Sequence, residues 1–351
     1  MPLRVLSVGY PFAPVGPSAV GGAEQVLSMI DEALVEAGHR ARVIAPEGST
    51  CRGELLATPR VAGPLDATAI ARAHHHHRIA IARAIAAEPT DVLHLHGVDF
   101  DRYLPEDGPP ALVTLHLPPS FYPPEVFALR RPATFLHCVS ASQRRACPAG
   151  APLLPEIPNG VRLGDLRFRA RKRGFAIALG RVCPEKGFHL ALDAAARAGV
   201  PLLLAGEVFA YAAHEAYFRA EIAPRLDRGR RFLGPVGGAR KRRLLAAARC
   251  LLVPSLVAET SSLVALEALA SGTPVVAFRQ GALPEIVEHE RTGYIVDSMA
   301  AMADAIRAAD AIDPAACRRA AEERGSATRM TAAYLETYRT LARVAHREAL
   351  A

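Results

Sequence analysis

Short apolar runs alternate along the whole chain with longer segments whose apolar residues recur every three or four positions. The short runs predict buried strands, and the longer segments, such as residues 22–38 and 67–88, predict helices packed against them. Strands separated by helices form parallel, doubly wound sheets, so the pattern predicts an α/β fold. The predicted strands are residues 3–8, 41–45, 91–96, 112–116, 135–140, 175–179, 202–205, 231–234, 250–253 and 274–278.

The alternation breaks between residues 161 and 175, where a basic run from Arg167 to Arg173 occupies the gap. A chain of 351 residues is also too long for one ordinary hydrophobic core. We therefore predict two Rossmann-like domains, residues 1–164 and 165–330, followed by a helix over residues 331–351.

Two glutamates flank the start of the helix that follows the predicted strand 250–253. Glu259 lies in the loop before this helix, and Glu267 lies within it among leucine, valine and alanine residues. Thr260, Ser261 and Ser262 are candidate N-caps, and the free backbone N–H groups at such a helix start suit an anion. Glutamates are usually solvated, but a charge within so apolar a helix needs a partner.

Basic and histidine side chains follow the ends of other predicted strands. Arg181 and Lys186 come after the strand that ends at residue 179, where a guanidinium fork and a mobile ammonium could clamp a diphosphate; ordinary surface cations are the alternative. His96 and His116 end two strands of the first half, at the edge where open parallel sheets bind ligands. A core histidine bonded to backbone is an equal alternative for His116.

Further candidates in the first half are less specific. His94 and His137 also lie on strands and are more typical of the core. Gly21 and Gly22 separate the first strand from the first helix and could line a phosphate or sugar pocket, or form a plain turn. The four consecutive histidines from residue 74 to residue 77 point around a helix, which favours a packed or solvated surface over a metal site.

The composition of the chain limits the classes of molecule that it is expected to bind. A net charge of +7 favours anionic partners, namely a nucleotide, a phospholipid surface or nucleic acid. With no Trp and 6% aromatic residues there is little for bases to stack on, so nucleic acid ranks last. The six cysteines lack CxxC spacing, which argues for reduced thiols in a cytoplasm and against zinc. No apolar run approaches the roughly 20 residues of a membrane-spanning helix, and nothing marks the chain for export.

Taken together, these residues resemble the family 4 glycosyltransferases, also called glycosyl transferases group 1. The most specific element is the pair Glu259 and Glu267, separated by seven residues and followed by Ala-Leu-Ala-Ser-Gly-Thr-Pro-Val-Val. Weaker elements occur in the family's order: Gly-Gly-Ala-Glu from residue 21, Thr-Leu-His from residue 114, Pro-Asn-Gly-Val from residue 158, and Gly180-Arg181 with Glu-Lys-Gly from residue 185. The resemblance covers nearly the whole chain and implies the GT-B architecture, two facing Rossmann-like domains with an inter-domain cleft.

The resemblance also implies a role for each candidate residue. Arg181 and Lys186 would hold the diphosphate of a sugar nucleotide, Glu259 would bind sugar hydroxyls, and Glu267 would bind the ribose hydroxyls. His116 would lie near the reacting sugar, and the final helix would cross back onto the N-terminal domain. The backbone of Gly21 and Gly22 would approach the phosphate or the acceptor, and the sugar site would be lined by Thr260, Ser261, Ser262 and Leu263.

One departure concerns the donor sugar. Thr260, Ser261 and Ser262 stand where many relatives have Gly-Phe-Gly, so the sugar itself is left open. The base is expected to be uracil or guanine, and by resemblance the enzyme needs no bound metal and no cofactor.

The function expected from the resemblance is retaining transfer of a hexose from a nucleoside diphosphate to a glycan, a lipid-linked acceptor or a small molecule, in cell-surface polysaccharide or glycoconjugate synthesis. A sugar-nucleotide epimerase or hydrolase on the same fold, and a non-catalytic scaffold subunit, are the alternatives. The basic run from Arg167 and the Pro/Phe/Tyr-rich loop 117–124 suggest peripheral binding of an otherwise cytoplasmic protein to a membrane.

Overall fold

The computed structural model describes residues 2–63 and 65–348, with the side chains described up to residue 343. The chain divides into two compact units. The N-terminal unit comprises residues 1–158 together with residues 328–351, and the C-terminal unit comprises residues 159–327. Each unit contains one six-stranded parallel sheet flanked by helices, so the predicted α/β fold class is confirmed.

The sheet of the N-terminal unit has the order β3-β2-β1-β4-β5-β6, with every pair parallel. Its core combines apolar side chains of the strands with others from α2 and from the segments between strands. Asp66 caps the second helix by accepting a hydrogen bond from the Ala69 N–H at 2.8 Å. The elements are β1 (Arg4–Val8), α1 (Gly22–Glu36), β2 (Arg40–Pro46), β3 (Glu54–Thr58), α2 (Ala67–Ala87), β4 (Val92–Leu95), β5 (Ala111–Leu115), β6 (Thr134–Cys138) and α3 (Ala141–Ala146).

Strand β3 is absent from the sequence prediction. It pairs only with β2 at one edge of the sheet, and four of its five residues are partly or fully exposed. An edge strand is exposed to solvent and needs no continuous apolar run, so β3 lacks the apolar pattern that predicted the central strands.

The sheet of the C-terminal unit repeats the same topology, with the order β12-β11-β10-β7-β8-β9 and parallel pairs throughout. Apolar clusters cover both faces of this sheet. The elements are β7 (Ala176–Leu179), α4 (Phe188–Ala198), β8 (Leu202–Ala205), α5 (Ala212–Tyr217), β9 (Arg230–Phe232), α6 (Gly238–Ala247), β10 (Cys250–Val253), α7 (Leu263–Ala270), β11 (Val275–Phe278), α8 (Leu283–Ile286), β12 (Gly293–Val296), α9 (Met299–Ala308) and α10 (Pro314–Arg324).

The boundary between the units differs from the expected one. The C-terminal unit begins at residue 159, six residues before the predicted start at 165. The reason is a short parallel bridge, in which the Val161 N–H donates to the Gly325 oxygen at 2.8 Å and the Ala327 N–H donates to the Val161 oxygen at 2.9 Å. A pairing between such distant residues leaves no local trace in the sequence.

Helix α11 (Ala327–Glu348) packs on the N-terminal unit. Tyr334 and Tyr338 on this helix are fully buried, and the Tyr338 hydroxyl lies 2.6 Å from Nδ1 of His94 on β4. The segment predicted as a returning helix, residues 331–351, lies within α11 up to residue 348, and residues 349–351 lie outside the described residues. None of the described helices is both long enough and apolar enough to cross a membrane.

Thr114 links two buried histidines of the N-terminal unit into one network. Its hydroxyl lies 2.7 Å from Nε2 of His94 and 2.6 Å from Nε2 of His137, and the other ring nitrogen of His137 lies 3.1 Å from the Cys138 oxygen. The core role expected for these two histidines is therefore the observed one. Burial lowers the pKa of His137 to about 4, and it lowers the pKa of His94 well below its usual value.

These neutral histidines should make the N-terminal unit sensitive to mild acid. A buried His with a lowered pKa binds its proton more weakly in the folded chain, so its stabilising effect is complete above the unfolded pKa of 6.5 and is lost as pH falls through the folded value. Each such His should lower the free energy of unfolding by about 1.4 kcal/mol at pH 5.5 relative to pH 7.5.

Urea unfolding at these two pH values, followed by tyrosine fluorescence, measures this loss. His137→Gln should remove about one histidine's share of the pH dependence, whereas the same substitution at the exposed His75 should leave it unchanged. An unfolding free energy that is equal at both pH values in the unmodified chain would contradict the expectation.

Candidate functional site

The C-terminal unit has one position where neighbouring strands of its sheet lead into helices on opposite faces. Strands β7 and β10 are adjacent, and the chain runs outward from β7 to β8 and β9 but from β10 to β11 and β12. Open α/β sheets bind ligands in the crevice at this point, beyond the carboxyl ends of the strands. Two loops meet there: residues 180–187 after β7, called here the β7 turn, and residues 254–262 after β10, called here the β10 loop.

A glycine allows the two loops to touch. Gly187 has a φ of +62°, and a Cβ at this position would overlap the carbonyl oxygen of Pro254. Nearby, the Leu256 N–H donates to the Glu185 oxygen at 2.8 Å. The β7 turn and the β10 loop are therefore held together through their backbones, and any side chain larger than hydrogen at Gly187 would separate them.

An ion pair joins the same two loops through their side chains. Nζ of Lys186 lies 2.5 Å from Oε1 of Glu259, with 26% and 11% of the respective side chains exposed. The Ser255 hydroxyl donates to the same carboxylate oxygen, and the Ala282 N–H donates to the Glu259 backbone oxygen at 2.7 Å. The carboxylate is thus fixed in position and mostly shielded from solvent, which strengthens its attraction to the ammonium.

Arg181 lies at the start of the β7 turn and is exposed. Its guanidinium has no ion-pair partner among the described residues, so its five N–H donors are available for a planar anion such as a phosphate. Arg181 and Lys186 therefore lie on one turn, as the sequence predicts.

Glu267 has a partner that the sequence analysis did not identify. Its Oε1 lies 2.7 Å from Nζ of Lys241 on α6, and 13% of the Glu267 side chain and 19% of the Lys241 side chain are exposed. Lys241 belongs to a basic cluster, residues 240–243, at the start of α6, and its ammonium is bound by Glu267 rather than left to solvent. The requirement of Glu267 for a cation was visible in the sequence, but the docking of α6 on α7 that supplies it was not.

The second carboxylate oxygen of Glu267 remains unpaired. Oε2 is enclosed by protein and has no hydrogen-bond partner among the described residues. Burial raises the pKa of Glu267, an effect that the charge of Lys241 opposes. A buried oxygen without a donor is costly, so the arrangement favours a ligand that brings a hydroxyl or N–H group to Oε2.

The three residues between Glu259 and α7, and Leu263 at the start of α7, have different environments. Ser262 is buried and caps α7, since its hydroxyl accepts a hydrogen bond from the Ala265 N–H at 3.4 Å, while Leu263 begins the helix and packs against the apolar core. Thr260 and Ser261 are partly exposed. Of the three candidate caps, Ser262 is therefore the cap, and the partly buried side chain of Leu263 packs against the core.

The glycine pair of the N-terminal unit lies at a helix start, as expected, but an acid is already present there. Helix α1 begins at Gly22, and the Glu24 carboxylate lies in the space that a Cβ on Gly21 would fill. Because Glu24 brings its own negative charge to these backbone N–H groups, a phosphate would have to share or replace that charge.

His116 follows the carboxyl end of β5 and is partly buried. Its Nε2 lies 3.0 Å from Nδ1 of His96, so one of the two rings donates an N–H hydrogen bond to the other. Burial lowers the pKa of His116 to about 3, which leaves a neutral imidazole suited to hydrogen bonding rather than to charge neutralisation.

The basic run 167–173 and the histidine run 74–77 each contain a side chain that is buried or bonded within its own unit. Nζ of Lys172, within the basic run, donates to the Ala246 oxygen, the Ser271 oxygen and the Thr273 hydroxyl, and burial lowers its pKa to about 8. In the histidine run, His77 is buried in the core side of α2. The run is a helix surface, as expected.

Family models match both units. The model described as Glycosyltransferase Family 4 matches residues 20–165. The model described as Glycosyl transferases group 1 matches residues 174–309, which include the β7 turn and the β10 loop. The two matched segments together cover most of the chain.

Individual relatives agree with this assignment. A phosphatidyl-myo-inositol mannosyltransferase of Mycobacterium leprae is 32% identical over 165 residues, covering 43% of this chain and 42% of that protein, so the match spans less than half of the relative. The structure of AviGT4, a glycosyltransferase involved in avilamycin A biosynthesis, covers 97% of this chain and 98% of its own, with 25% identity and a TM-score of 0.72.

A third comparison shows the fold alone. HepE of Anabaena, solved in complex with UDP and glucose, is 19% identical and covers 95% of this chain and 99% of its own with a TM-score of 0.73. The family resemblance found in the sequence is confirmed by the two family models, by the relatives and by the shared fold. The chain belongs to the group 1, or family 4, glycosyltransferases.

Proposed function

We propose that this chain transfers a hexose from a nucleoside diphosphate sugar to an acceptor hydroxyl. The observation that carries the proposal is the Lys186–Glu259 ion pair, which lies with the exposed Arg181 at the crevice between β7 and β10. This combination supplies cations for a diphosphate beside a carboxylate for sugar hydroxyls, at the place where such sheets bind nucleotides.

The cations would assist the step in which the glycosidic bond breaks. Negative charge then builds on the departing diphosphate, and fixed cations stabilise that charge more than they stabilise the intact donor. Lys186 has three N–H donors, so it can keep Glu259 and bind a phosphate oxygen at the same time. Arg181 would add two parallel hydrogen bonds, and the transfer would require no resident metal.

The two glutamates would divide the donor between them. Glu259, held by Lys186 and Ser255, would accept hydrogen bonds from the hexose. Glu267 would accept from the ribose hydroxyls, which supplies the donor that its enclosed Oε2 lacks. Thr260 and Ser261, which remain partly exposed beside Glu259, would contact the sugar and contribute to its selection.

The N-terminal unit would bind the acceptor. The neutral imidazole of His116 would act there as a hydrogen-bonding group, and the Gly21–Gly22 backbone would approach the acceptor. Retention of the donor's anomeric configuration, as the family resemblance implies, is part of the proposal.

Acceptors that carry phosphate are the class to test first. The Mycobacterium leprae relative is named for an inositol phospholipid, and a net charge of +7 attracts anionic groups to this chain. A lipid-linked acceptor would also require the chain to act at a membrane surface. Binding to anionic vesicles that weakens as salt rises would support this extension, and no binding at low salt would remove it.

A donor screen followed by an NMR time course tests the proposed reaction. Sugar derivatives of UDP, GDP and ADP are compared for thermal stabilisation, and the best donor is then incubated with and without a phosphorylated acceptor. The proposal expects consumption only with the acceptor, and a product of unchanged anomeric configuration. Consumption without acceptor would indicate an epimerase or hydrolase, and failure to bind any of the donors would indicate a scaffold.

Removing the charge of Lys186 should impair turnover. Lys186→Met keeps the aliphatic stem but removes the ammonium, so kcat/KM should fall by at least about 10²-fold, as it does when other fixed charge stabilisers are lost. Steady-state kinetics with the selected donor measure the effect.

A matched control is Arg197→Ala, which removes an exposed cation on α4 and should leave kcat/KM unchanged. The thermal unfolding of both variants shows whether they fold. A folded Lys186→Met variant with full activity would show that Lys186 does not stabilise the departing diphosphate.

Removing the charge of Glu267 should weaken recognition of the ribose. Hydrogen bonds to a charged group contribute about 1.5–3 kcal/mol, so Glu267→Gln should bind the nucleoside diphosphate roughly 10- to 100-fold more weakly. Calorimetry with the ribonucleotide and with its 2′,3′-dideoxy form separates this effect from a general loss of structure.

The unmodified chain should prefer the ribonucleotide, and Glu267→Gln should lose most of that preference. If the variant discriminates between the two nucleotides by the same factor as the unmodified chain, Glu267 does not bind the ribose.

A further inference from the structure

Three side chains with metal-binding chemistry converge beside the β7 turn. Cys183 and Glu185 lie on the turn itself, and His214 lies on α5, 31 residues after Cys183. Each residue offers one ligand atom, and these atoms all lie within 4.8 Å of one another. The sequence argued against zinc because the cysteines lack CxxC spacing, but here the fold brings together ligands that no short motif connects.

The three side chains differ in exposure. Cys183 is 2% exposed and Glu185 is exposed, while His214 is intermediate. Ligand atoms around a zinc ion are about 3.5 Å apart, given metal–ligand bonds of roughly 2.0–2.3 Å. Closing the group around an ion therefore needs any two of the ligand atoms to approach each other by no more than about 1 Å.

The histidine provides a second, independent sign of a missing partner. Nδ1 of His214 is enclosed and has no hydrogen-bond partner among the described residues. Its ring packs against two aromatic neighbours, with ring centroids 5.1 Å from Tyr211 and 6.5 Å from Phe209. A polar nitrogen enclosed by apolar groups costs free energy unless it has a hydrogen-bond or metal partner. Metal ligands in proteins are typically surrounded by such an apolar shell.

The donor set selects the class of metal. A thiolate, an imidazole and a carboxylate match the soft and intermediate ligands of Zn²⁺ and Co²⁺, whereas Mg²⁺ and Ca²⁺ prefer oxygen alone. Three protein ligands leave a fourth, tetrahedral position for water.

We propose that Cys183, Glu185 and His214 form a binding site for a zinc-class divalent ion. On binding, the Cys183 thiol loses its proton to solvent, and the metal–sulfur bond forms without any change in oxidation state. The ion would tie the β7 turn, which carries Arg181 and Lys186, to α5. This site goes beyond the proposed transfer reaction and does not depend on it, because metal binding can be measured with no sugar nucleotide present.

Cobalt is the probe that tests the site. The full chain, reduced and freed of metals, is titrated with Co²⁺ while the absorption of a cobalt–thiolate charge-transfer band in the near ultraviolet is followed. The proposal expects a saturable band with one Co²⁺ per chain that Zn²⁺ displaces, together with a rise in unfolding temperature on addition of Zn²⁺.

Variants identify the ligands. Cys183→Ser should abolish the charge-transfer band, and His214→Ala should weaken Co²⁺ binding by at least about tenfold, since losing even a supporting contact of a metal ligand costs 10- to 100-fold. Circular dichroism spectra of the metal-free variants show that they fold.

Two control variants test one other thiol and two other imidazoles of the chain. Cys147→Ser changes a partly exposed thiol, and a combined change of His75 and His76 to Gln removes two exposed or partly exposed imidazoles of the histidine run. Both controls should keep the band and the affinity. No band in the unmodified chain, or a band that survives in folded Cys183→Ser, would overturn the proposal.

Discussion

The contact between the β7 turn and the β10 loop is the constraint on which the rest of the candidate site depends. Gly187 allows the two backbones to touch. The Lys186–Glu259 ion pair joins the same two loops, with 2.5 Å between Nζ and Oε1. A shielded ion pair adds little net stability, because desolvation of the two charges offsets most of their attraction. Its position at the crevice between β7 and β10 is therefore better explained by ligand binding than by folding.

The two sheets share one topology but have different chemistry at their carboxyl edges. In the C-terminal unit the edge carries ion pairs and a free guanidinium, which suit a charged ligand. In the N-terminal unit it carries neutral histidines, and two of them are tied to tyrosine and threonine hydroxyls. The same sheet topology thus carries charged side chains at its carboxyl edge in one unit and uncharged hydrogen-bonding groups at that edge in the other.

Much of this site could be predicted from the sequence because its residues directly follow strands. Arg181, Lys186 and Glu259 come after the apolar runs of β7 and β10, and parallel strands bring their carboxyl ends to one edge. The family resemblance then supplied roles that geometry alone does not give.

What the sequence did not reveal depends on packing between distant segments. Lys241 reaches Glu267 because α6 docks on α7, and His214 reaches Cys183 because α5 folds back beside the β7 turn. The same holds for the unit boundary, where Val161 pairs with the residues that follow α10. None of these contacts leaves a periodic or spaced pattern along the chain, so each became visible only in the folded structure.

The most direct test of the account is a crystal structure of the chain with a bound nucleoside diphosphate. The account expects phosphate oxygens within hydrogen-bonding distance of Arg181 and Lys186, and a ribose hydroxyl on Oε2 of Glu267. A nucleotide bound elsewhere, or one at this crevice that contacts neither Lys186 nor Glu267, would contradict it.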